Sequence, residues 1–414
     1  MMETVYRSVC GLDVHKKTVV ACVRRLGEGD RVWKEVRTFA TMTHNLRALV
    51  AWLQQERVTH VAMESTGILW KPIFNLLAEH FNVLVVNARH LKQVPGRKTD
   101  VKDCEWIAHL LQCGLLRGSY VPARAYRERR DLTRHRTKLV QQHTQTVNRL
   151  HAVLQDANIK LSSVASNIVG VSGRDMIDAL QQGEEDPTQL AELARGRLRA
   201  KIPQLRVALE GLVRDHHRFL LKVVLDQLDY RSPAIDQLSQ RIEEISPTSF
   251  RDAVCLVSTV DGIHQRPAEN ILAEIGIDMT QFPSAKHLSS WAGMCPGNNE
   301  SAGKRTSGKT PKGHRWLRGA LGEAAVAATR TKDTYFAAQF RRIAGRRGKK
   351  RAVVAVGHAQ LTTIYHMLST NTAYTDLGPH HFDTLEPLRL TRHHVRRLQA
   401  LGYTVTLTPV QEAA

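Results

Sequence analysis

The chain has 414 residues, a formal net charge of +20, a pI near 10.0 and a hydrophobic fraction of 42%. This length allows two or three domains with separate cores, and no run reaches the roughly 18 consecutive apolar residues of a membrane-spanning helix. The positive charge indicates a polyanionic partner, for which nucleic acid is the default.

Two further features of the composition narrow the class of protein. The six cysteines are scattered without a C-x-x-C pair, which argues against both a zinc site and a disulfide framework. The first residues, MMETVYRSVCGLD, are too polar for a secretory signal peptide. We therefore expect a cytoplasmic protein with reduced cysteines and no membrane contact.

Residues 6–112 predict strands and helices in the order β-β-β-α-β-α-β-α. The three runs VCGLDVH, TVVACVRR and VWKEVRTF come first, separated by turns. They are followed by the helix HNLRALVAWLQQE, the strand THVAMEST, the helix ILWKPIFNLLAEH, the strand NVLVVN and the helix KTDVKDCEWIAHLL. Ribonuclease-H-like folds have this order, with three antiparallel strands before parallel βα units, so we predict an α/β domain of that class over residues 1–121.

Four acidic residues fall at related positions of this predicted domain. Asp13 is on the first strand, Glu64 ends the fourth, and Asp100 and Asp103 begin the helix after the fifth. Strand ends and helix starts on one edge of a parallel sheet converge, so the four carboxylates could hold one or two Mg²⁺ ions through oxygen ligands. Two such ions stabilise the entering and leaving oxygens of a phosphoryl displacement.

Each of the four acids also has a simpler explanation. Asp100 could cap the helix and Asp103 could lie in its first turn, where the helix dipole favours both charges. Asp13 could be a turn residue, and Glu64 an exposed polar side chain. The joint placement of the four is what favours a metal site.

Residues 122–250 predict a helical linker and arm. A long helical run follows Pro122, and a later segment repeats Leu205, Leu209, Leu212, Phe219 and Val223 at spacings typical of a short coiled-coil seam. Arg231-Ser232-Pro233 is expected to end that helix, and a further helix is expected after it. The arm could pair with another copy of the chain, or it could form a helical hairpin within one chain.

Residues 251–375 predict a third, mainly helical domain, followed by a tail over 376–414. Its first segment has the pattern of a helix-hairpin-helix, with a turn at Asp261-Gly262 whose amides could hold a phosphate, although an ordinary αα-hairpin has the same pattern. The segment GKRTSGKT matches the P-loop expression, but no buried strand is expected before it, and Pro311 would interrupt the helix after it. Paired histidines in the tail, such as His380 with His381, point in different directions on a helix and make poor metal sites.

The positive charge is concentrated in this third domain. Residues 304–351 contain 15 Lys or Arg against two acids, a net charge of +13. A flexible basic loop and the helices after it are expected to contact a nucleic-acid backbone. The residues predicted to do so are Lys304, Arg305, Lys309, Lys312, Arg315, Arg318, Arg346, Arg347, Lys349, Lys350 and Arg351.

Four segments together resemble one protein family over essentially the whole chain. The segments GLDVHKKT, AMESTG, KTDVKD and SSWAGMCPGNNESAGK occur here in the order found in the DEDD-type insertion-sequence transposases, the "one-ten" insertion-sequence family, and PGNNESAGK is similar to its "eleven-eleven" branch. The resemblance implies a RuvC-like ribonuclease-H domain, a coiled-coil arm and a C-terminal transposase domain that supplies a serine. It also implies a metal-binding tetrad of Asp13, Glu64, Asp100 and Asp103.

The family resemblance implies further partners and a nucleophile. The resemblance implies a DNA recombinase in which a structured bridge RNA, encoded by the element, pairs with donor and target DNA. Ser301 would be the nucleophile, although this chain has Ser301-Ala302-Gly303 where a Ser-Gly pair is usual. Ser307-Gly308 is such a pair, so Ser307 stays open as an alternative.

From these features we predict a transposase that cuts and rejoins DNA. Ser301 would attack a DNA phosphodiester with Mg²⁺ or Mn²⁺ held by the tetrad, giving a covalent phosphoserine intermediate that conserves bond energy for rejoining. The tetrad and the serine would come together, with one contributed by another subunit of a homo-oligomer. The alternatives are a RuvC-like nuclease or junction resolvase, which needs only the carboxylates, and a non-catalytic basic scaffold that binds nucleic acid.

Overall fold

The protein is described here by a computed structural model. It describes residues 4–27, 31–65, 67–87, 91, 103–297, 299–301, 304–308, 310–311, 313–385 and 387–408, with the backbone alone for 299–301 and 304–307. The chain divides into two compact units, Met1–Pro122 and Ala123–Ala414. The finer division of the second unit, at residues 250 and 375, stays a prediction.

The first unit is a five-stranded mixed sheet with helices. Its strands are β1 (Ser8–Val14), β2 (Thr18–Leu26), β3 (Val32–Ala40), β4 (His60–Glu64) and β5 (Asn82–Val86), and its helices are α1 (Thr43–Gln55), α2 (Trp70–Leu77) and α3 (Asp103–Gln112). The order across the sheet is β3-β2-β1-β4-β5, antiparallel through the first three strands and parallel through the last two pairs. This is the predicted arrangement of a ribonuclease-H-like domain, and the prediction is confirmed.

The two faces of this sheet pack on different helices. Strand side chains alternate between faces, and Cys10 and Leu12 of β1 belong to a core cluster that includes Leu49 and Leu53 of α1. Val9, on the opposite face of β1, packs with residues of α3. Buried side chains on both faces make β1 the centre of the unit.

Gly11 allows α3 to approach β1 closely. A Cβ atom at this position would lie 2.2 Å from the carbonyl oxygen of Cys104 and 2.4 Å from the backbone nitrogen of Ala108. Real Cβ contacts are not this short, so the helix backbone rests directly on the glycine. The close packing fixes the first turn of α3 beside the end of β1.

The second unit contains helices and one small hairpin. Its helices are α4 (Arg124–Asp156), α5 (Leu161–Val164), α6 (Val171–Gln182), α7 (Pro187–Glu192), α8 (Ile202–Leu209), α9 (Asp215–Glu244), α10 (Thr248–Val257), α11 (Gln265–Ile275), α12 (Ala285–Trp291), α13 (Arg315–Ala328), α14 (Tyr335–Arg347), α15 (Lys349–Thr370), α16 (His381–Leu385) and α17 (Pro387–Ala400). Short 3₁₀ turns occur at Gly196–Lys201 and Met279–Gln281, and the strands β6 (Asn299–Ser301) and β7 (Lys304–Ser307) form the hairpin.

The two longest helices form an antiparallel hairpin within the chain. Asp156 of α4 bonds His217 of α9, Thr146 bonds Arg231, and Arg136 approaches Ser239, so the paired numbers rise on one helix as they fall on the other. The structure therefore shows the intramolecular alternative for the arm. A continuous coiled-coil seam is not formed, because Leu205 and Leu209 are buried in the separate helix α8, while Phe219 and Val223 are exposed on α9.

The prediction that a helix ends at Pro233 is wrong. Helix α9 continues through the proline to Glu244. Arg231 and Ser232 donate side-chain hydrogen bonds of 3.1 Å to the carbonyls of Gln227 and Leu228, in the turn before the proline. Buried residues on both sides of Pro233 also hold the helix in place, and this packing outweighs the missing N–H bond.

Helices α10 to α15 share one core, and the Asp261-Gly262 turn lies within it. Val260 and Ile263 are buried beside the turn, and a Cβ at Gly262 would meet the backbone of Ala324 and Ala328 at 2.4 Å. The turn is thus covered on that side by α13, which supports the ordinary αα-hairpin. In the part of the chain that the structure describes, no helix is long and apolar enough to cross a membrane.

Candidate active site

Three of the four predicted carboxylates occur at the same edge of the first sheet. Asp13 is near the end of β1, Glu64 is the last residue of β4, and Asp103 is the first residue of α3. The parallel pairing of β1 with β4 places Leu12 beside Met63, so Asp13 and Glu64 follow next to each other on neighbouring strands. Asp100 lies outside the described residues.

Asp13 and Glu64 also lie on the sheet face that carries α3. Val9 and Ala62 of this face pack in one cluster with α3, and strand side chains repeat on the same face every second residue. Asp13 is four residues beyond Val9, and Glu64 is two beyond Ala62. The carboxylates therefore point to the side of the sheet on which α3 begins.

Two further residues mark the surroundings of Asp13. The Nε2 atom of His15 lies 3.0 Å from an Asp13 carboxylate oxygen, and the Asp13 side chain keeps 30% of its exposure. Burial, and then the negative charges of Glu105 and Asp13, raise the pKa of Cys104 to about 11. Asp13 is thus within electrostatic reach of the first turn of α3, and neither His15 nor Cys104 was singled out from the sequence.

The donor set suits a divalent cation that prefers oxygen ligands. Asp13, Glu64 and Asp103 come from three different elements, are partly or fully exposed, and offer carboxylate oxygens. Like charges at one edge repel one another, and a bound cation would relieve that repulsion. Asp103 at the first position of α3 also fits the helix-dipole explanation, so for this residue the two explanations coexist.

A different group of three potential ligands occurs in the second unit. Among the described residues, Asp156, His216 and His217 place ligand atoms within 4.8 Å of one another. The Nδ1 atom of His217 accepts a hydrogen bond from the Arg214 backbone N–H, so its ring proton is on Nε2 and is donated to Asp156. A metal ligand needs that nitrogen's lone pair, and the group is therefore explained as a helix cap and a link between α4 and α9.

The candidate nucleophile lies in the second unit, on the small hairpin. Ser301 is the last residue of β6 and pairs with Lys304, whereas Ser307 is the last residue of β7 and pairs with Asn299. Ser301 is thus next to the tip of the hairpin, and Ser307 is at its open end. The structure assigns no role to either serine.

Two glycines close the base of the loop that carries the hairpin. A Cβ at Gly313 would lie 2.1 Å from the carbonyl oxygen of Ala292, and one at Gly293 would lie 2.3 Å from the Gly313 Cα. The His314 N–H also bonds the Ala292 carbonyl at 3.2 Å. We define residues 294–312 as the serine loop, whose two ends are held together by this contact.

A buried charge network anchors the end of the serine loop. Arg134 of α4 donates two hydrogen bonds, of 2.7 and 2.8 Å, to Glu274, which is 2% exposed. His314 lies 3.5 Å from the same carboxylate and stacks on Trp291. Burial lowers the pKa of His314, Glu274 opposes that effect, and Arg134 adds to it. Sequence reasoning missed this network because long-range pairing of α4 with α11 leaves no local pattern.

The residues that were predicted to contact nucleic acid differ from one another in their structural surroundings. Arg318 bonds the Pro311 carbonyl and the Thr310 hydroxyl, so it supports the serine loop. Arg315 is exposed at the start of α13, and Arg346, Arg347, Lys349, Lys350 and Arg351 form an exposed cationic cluster where α14 meets α15. Only the backbone of Lys304 and Arg305 is described, and Lys309 and Lys312 lie outside the described residues. Nucleic-acid binding by these residues stays a prediction.

Comparisons with known proteins cover most of the chain. Residues 10–159 match the DEDD model of the IS110 group, described as "Transposase", and residues 255–341 match the model described as "Transposase IS116/IS110/IS902 family". The chain is 22% identical over 380 residues to the pilin gene-inverting protein of Moraxella bovis, covering 88% of this chain and 97% of that protein. It is 23% identical over 378 residues to the pilin gene-inverting protein of Moraxella lacunata, with the same coverage of 88% and 97%.

Proposed function

The chain belongs to the IS110 family of transposases, and we propose that it cuts and rejoins DNA through a covalent serine intermediate, with metal held by a carboxylate tetrad. DNA cleavage and rejoining, and dependence on a divalent metal, follow from the family. The tetrad in the proposal is Asp13, Glu64, Asp100 and Asp103, with Ser301 as the nucleophile. The observation that carries it is the convergence of Asp13, Glu64 and Asp103 at one sheet edge.

The carboxylates would hold Mg²⁺ or Mn²⁺, ions that in a carboxylate site polarise phosphoryl oxygens and stabilise the entering and leaving oxygens of a displacement. His15 bonds Asp13 and so orients one carboxylate for this task. The position of Asp103 at the start of α3, fixed by the contact at Gly11, sets the distance of a second carboxylate from the strand ends.

In the proposed reaction, the Oγ atom of Ser301 forms a bond to a DNA phosphorus while one P–O bond of the backbone breaks. The serine loses its proton, and the departing deoxyribose oxygen gains one. The phosphoserine ester keeps the energy of the broken bond, so a DNA hydroxyl can later attack the same phosphorus and release the serine. The strand register supports the choice of Ser301, because this residue is next to the tip of the hairpin, whereas Ser307 is at its open end.

The serine is tested by replacing it. With Ser301→Ala, we expect no labelled DNA to migrate with the protein on a denaturing gel, while DNA binding is retained. Ser307→Ala is the matched control and should still form the adduct. An undiminished adduct in Ser301→Ala together with its loss in Ser307→Ala would transfer the role to Ser307.

The proposal favours recombination over simple hydrolysis. The Moraxella relatives are named for inverting a gene, and inversion requires that broken ends be rejoined. A RuvC-like nuclease or resolvase would leave hydrolysed ends and no protein adduct. Analysis of the products on a supercoiled DNA substrate distinguishes the two reactions.

The proposed partners are donor and target DNA, a structured bridge RNA and further copies of the chain. The RNA is implied by the family resemblance, and sequencing of RNA that copurifies with the protein tests it. Light scattering of the complex tests whether it is a dimer or tetramer. We place the activity in the bacterial cytoplasm or nucleoid, where DNA substrates are present.

A further inference from the structure

A cleft between α4, α11 and α13 lies beside the end of the serine loop and is not used by the proposed chemistry. Its volume is about 240 Å³. Pockets for drug-sized ligands have roughly 300–1,000 Å³, so this cleft has room for one aromatic ring system.

The cleft combines an aromatic surface with positive charge. Trp316 is half-buried at its edge, and the charged groups of Arg134, Arg315 and Lys138 lie 5.7, 5.6 and 5.8 Å from the indole centroid. Arg134 is already paired with Glu274, which leaves Arg315 and Lys138 as the cations nearest the ring that can meet a phosphate. Aromatic side chains flanked by cations are how proteins hold unpaired nucleotides.

Helix α13 supplies further residues of the cleft. Gly319 and Ala320 follow Trp316 by one turn, and a Cβ at Gly319 would meet nothing within 4 Å. Glu323 comes one turn later on the same helix face, about 10.5 Å from Trp316 along the axis. Trp316 and Glu323 both line the cleft, so a ligand that fills it would face the indole and the carboxylate.

Glu323 offers an unused acceptor. No hydrogen bond or ion pair to it is formed by the part of the chain that the structure describes. Partial burial raises the pKa of its carboxyl, because it disfavours the charged form. A hydrogen-bond donor would offset that unfavourable desolvation of the carboxylate. Carboxylates accept from the amino group of cytosine, whereas thymine and uracil present carbonyl oxygens at that position.

We propose that this cleft binds one unpaired base that stacks on Trp316 and whose exocyclic amino group donates a hydrogen bond to Glu323. The proposal rests on the proposed function, because it assigns a further contact to the same nucleic-acid substrates. It adds a specificity for base identity that the metal tetrad and the serine do not provide. The base could belong to DNA or to RNA, and the experiment separates these sources.

The test measures binding of full-length protein to labelled oligo-dC and oligo-dT strands of about 12 nucleotides, within the ~4–16 that single-strand sites cover. Fluorescence anisotropy at one salt concentration gives both affinities, and contacts to the shared backbone cancel in their ratio. We expect oligo-dC to bind at least about fivefold more tightly, the lower limit for one good polar base contact. Oligo-rC and oligo-rU form the RNA arm, and the larger ratio identifies the source of the base.

Two pairs of variants assign the effect to the cleft. Glu323→Gln should remove the preference for cytosine, whereas Glu210→Gln, which changes the charge equally at an exposed residue on the segment after α8, should keep it. Trp316→Ala should weaken binding of both strands by about 5- to 150-fold, the range for losing one base stack. Trp316→Phe should retain most of the affinity and controls for folding.

Equal affinities of the wild-type protein for cytosine and for thymine or uracil strands would overturn the proposal, as would a preference that survives Glu323→Gln. Neither result would affect the covalent adduct made through Ser301. Conversely, loss of that adduct in Ser301→Ala leaves the cytosine preference unchanged. The two assays therefore separate failure of the cleft from failure of the proposed function.

Discussion

Gly11 lies where α3 crosses the central strand, and the backbone of Cys104 occupies the space of a Cβ atom there. Replacing Gly11 by Ala should shift α3 and destabilise the protein by about 1–3 kcal/mol, the usual range for overpacking a core. Because Asp103 begins α3, covalent adduct formation should fall as well. Chemical denaturation and the gel assay measure the two effects.

The control for Gly11→Ala is Gly345→Ala. Gly345 is on the exposed side of α14, and a Cβ there would meet nothing within 4 Å. Alanine is the better helix former, so this change should stabilise the protein by up to about 1 kcal/mol. Equal effects of the two substitutions would contradict a special role for Gly11.

A second residue-scale prediction concerns the pair of carboxyls Asp261 and Asp376. Burial, and then the hydrogen bond and charge of Asp376, raise the pKa of Asp261 from 3.8 to about 6. The Asp376 carboxylate also accepts from the Tyr374 hydroxyl and from the Tyr335 N–H. Burial alone would raise the pKa of Asp376. The hydrogen bonds that it accepts from Asp261 and from backbone N–H groups outweigh burial and lower this pKa.

The pH dependence follows from the proton on Asp261. Between about pH 4 and pH 6 the folded protein holds this proton and the unfolded chain has lost it, so this contribution to stability falls as pH rises. Asp261→Asn keeps a donor for Asp376 and cannot ionise, so its unfolding free energy should lack this fall. Urea denaturation of both proteins across the window provides the comparison, and parallel curves would contradict the prediction.

At the scale of the element, the path of α9 through Pro233 gives the next prediction. Pro233→Ala restores a backbone N–H and removes the ring from the preceding turn, which in a helix interior is worth up to about 3 kcal/mol. Alanine leaves the unfolded chain more conformational freedom than proline does, and this entropy reduces the gain by about 0.4–1 kcal/mol. We therefore expect a net stabilisation of about 1–2 kcal/mol in urea denaturation.

Pro203→Ala is the matched control for this prediction. Pro203 is at the start of α8, where its missing N–H has no helical partner to lose. The substitution should be neutral or destabilise by about 0.4–1 kcal/mol through the unfolded state. A gain in stability equal to that of Pro233→Ala would show that the effect does not come from the helix interior.

The same elements show what the sequence can and cannot predict. Periodicity of two and of about 3.6 predicted the order of strands and helices through residue 112, and with it the positions of Asp13, Glu64 and Asp103. The end of α9 was wrongly predicted because a local rule about proline was outweighed by burial of Leu228 and Ile235 on either side of it.

The buried ion pairs are a second feature that could not be predicted from the sequence. Arg136 is 2% exposed and pairs with Glu269 at 2.7 Å, and Arg134 pairs with the buried Glu274. The partners of these arginines are more than 100 residues away on α11, so only the packed structure distinguishes a structural arginine from one that can meet a phosphate.

At the scale of the whole molecule, a net charge of +20 makes salt dependence the measure of DNA binding. Each phosphate contact contributes about −0.9 to the slope of log affinity against log salt concentration. Lys349 and Lys350 are exposed where α14 meets α15, so the double variant Lys349→Gln/Lys350→Gln should reduce the magnitude of the slope by up to about 1.8.

The control is the double variant Arg197→Gln/Arg199→Gln. It removes two charges from an exposed 3₁₀ turn and should leave the slope nearly unchanged. Anisotropy titrations of duplex DNA over a series of salt concentrations measure both slopes. If the two double variants reduce the slope equally, DNA binding depends on the total charge of the chain rather than on the cluster at residues 346–351.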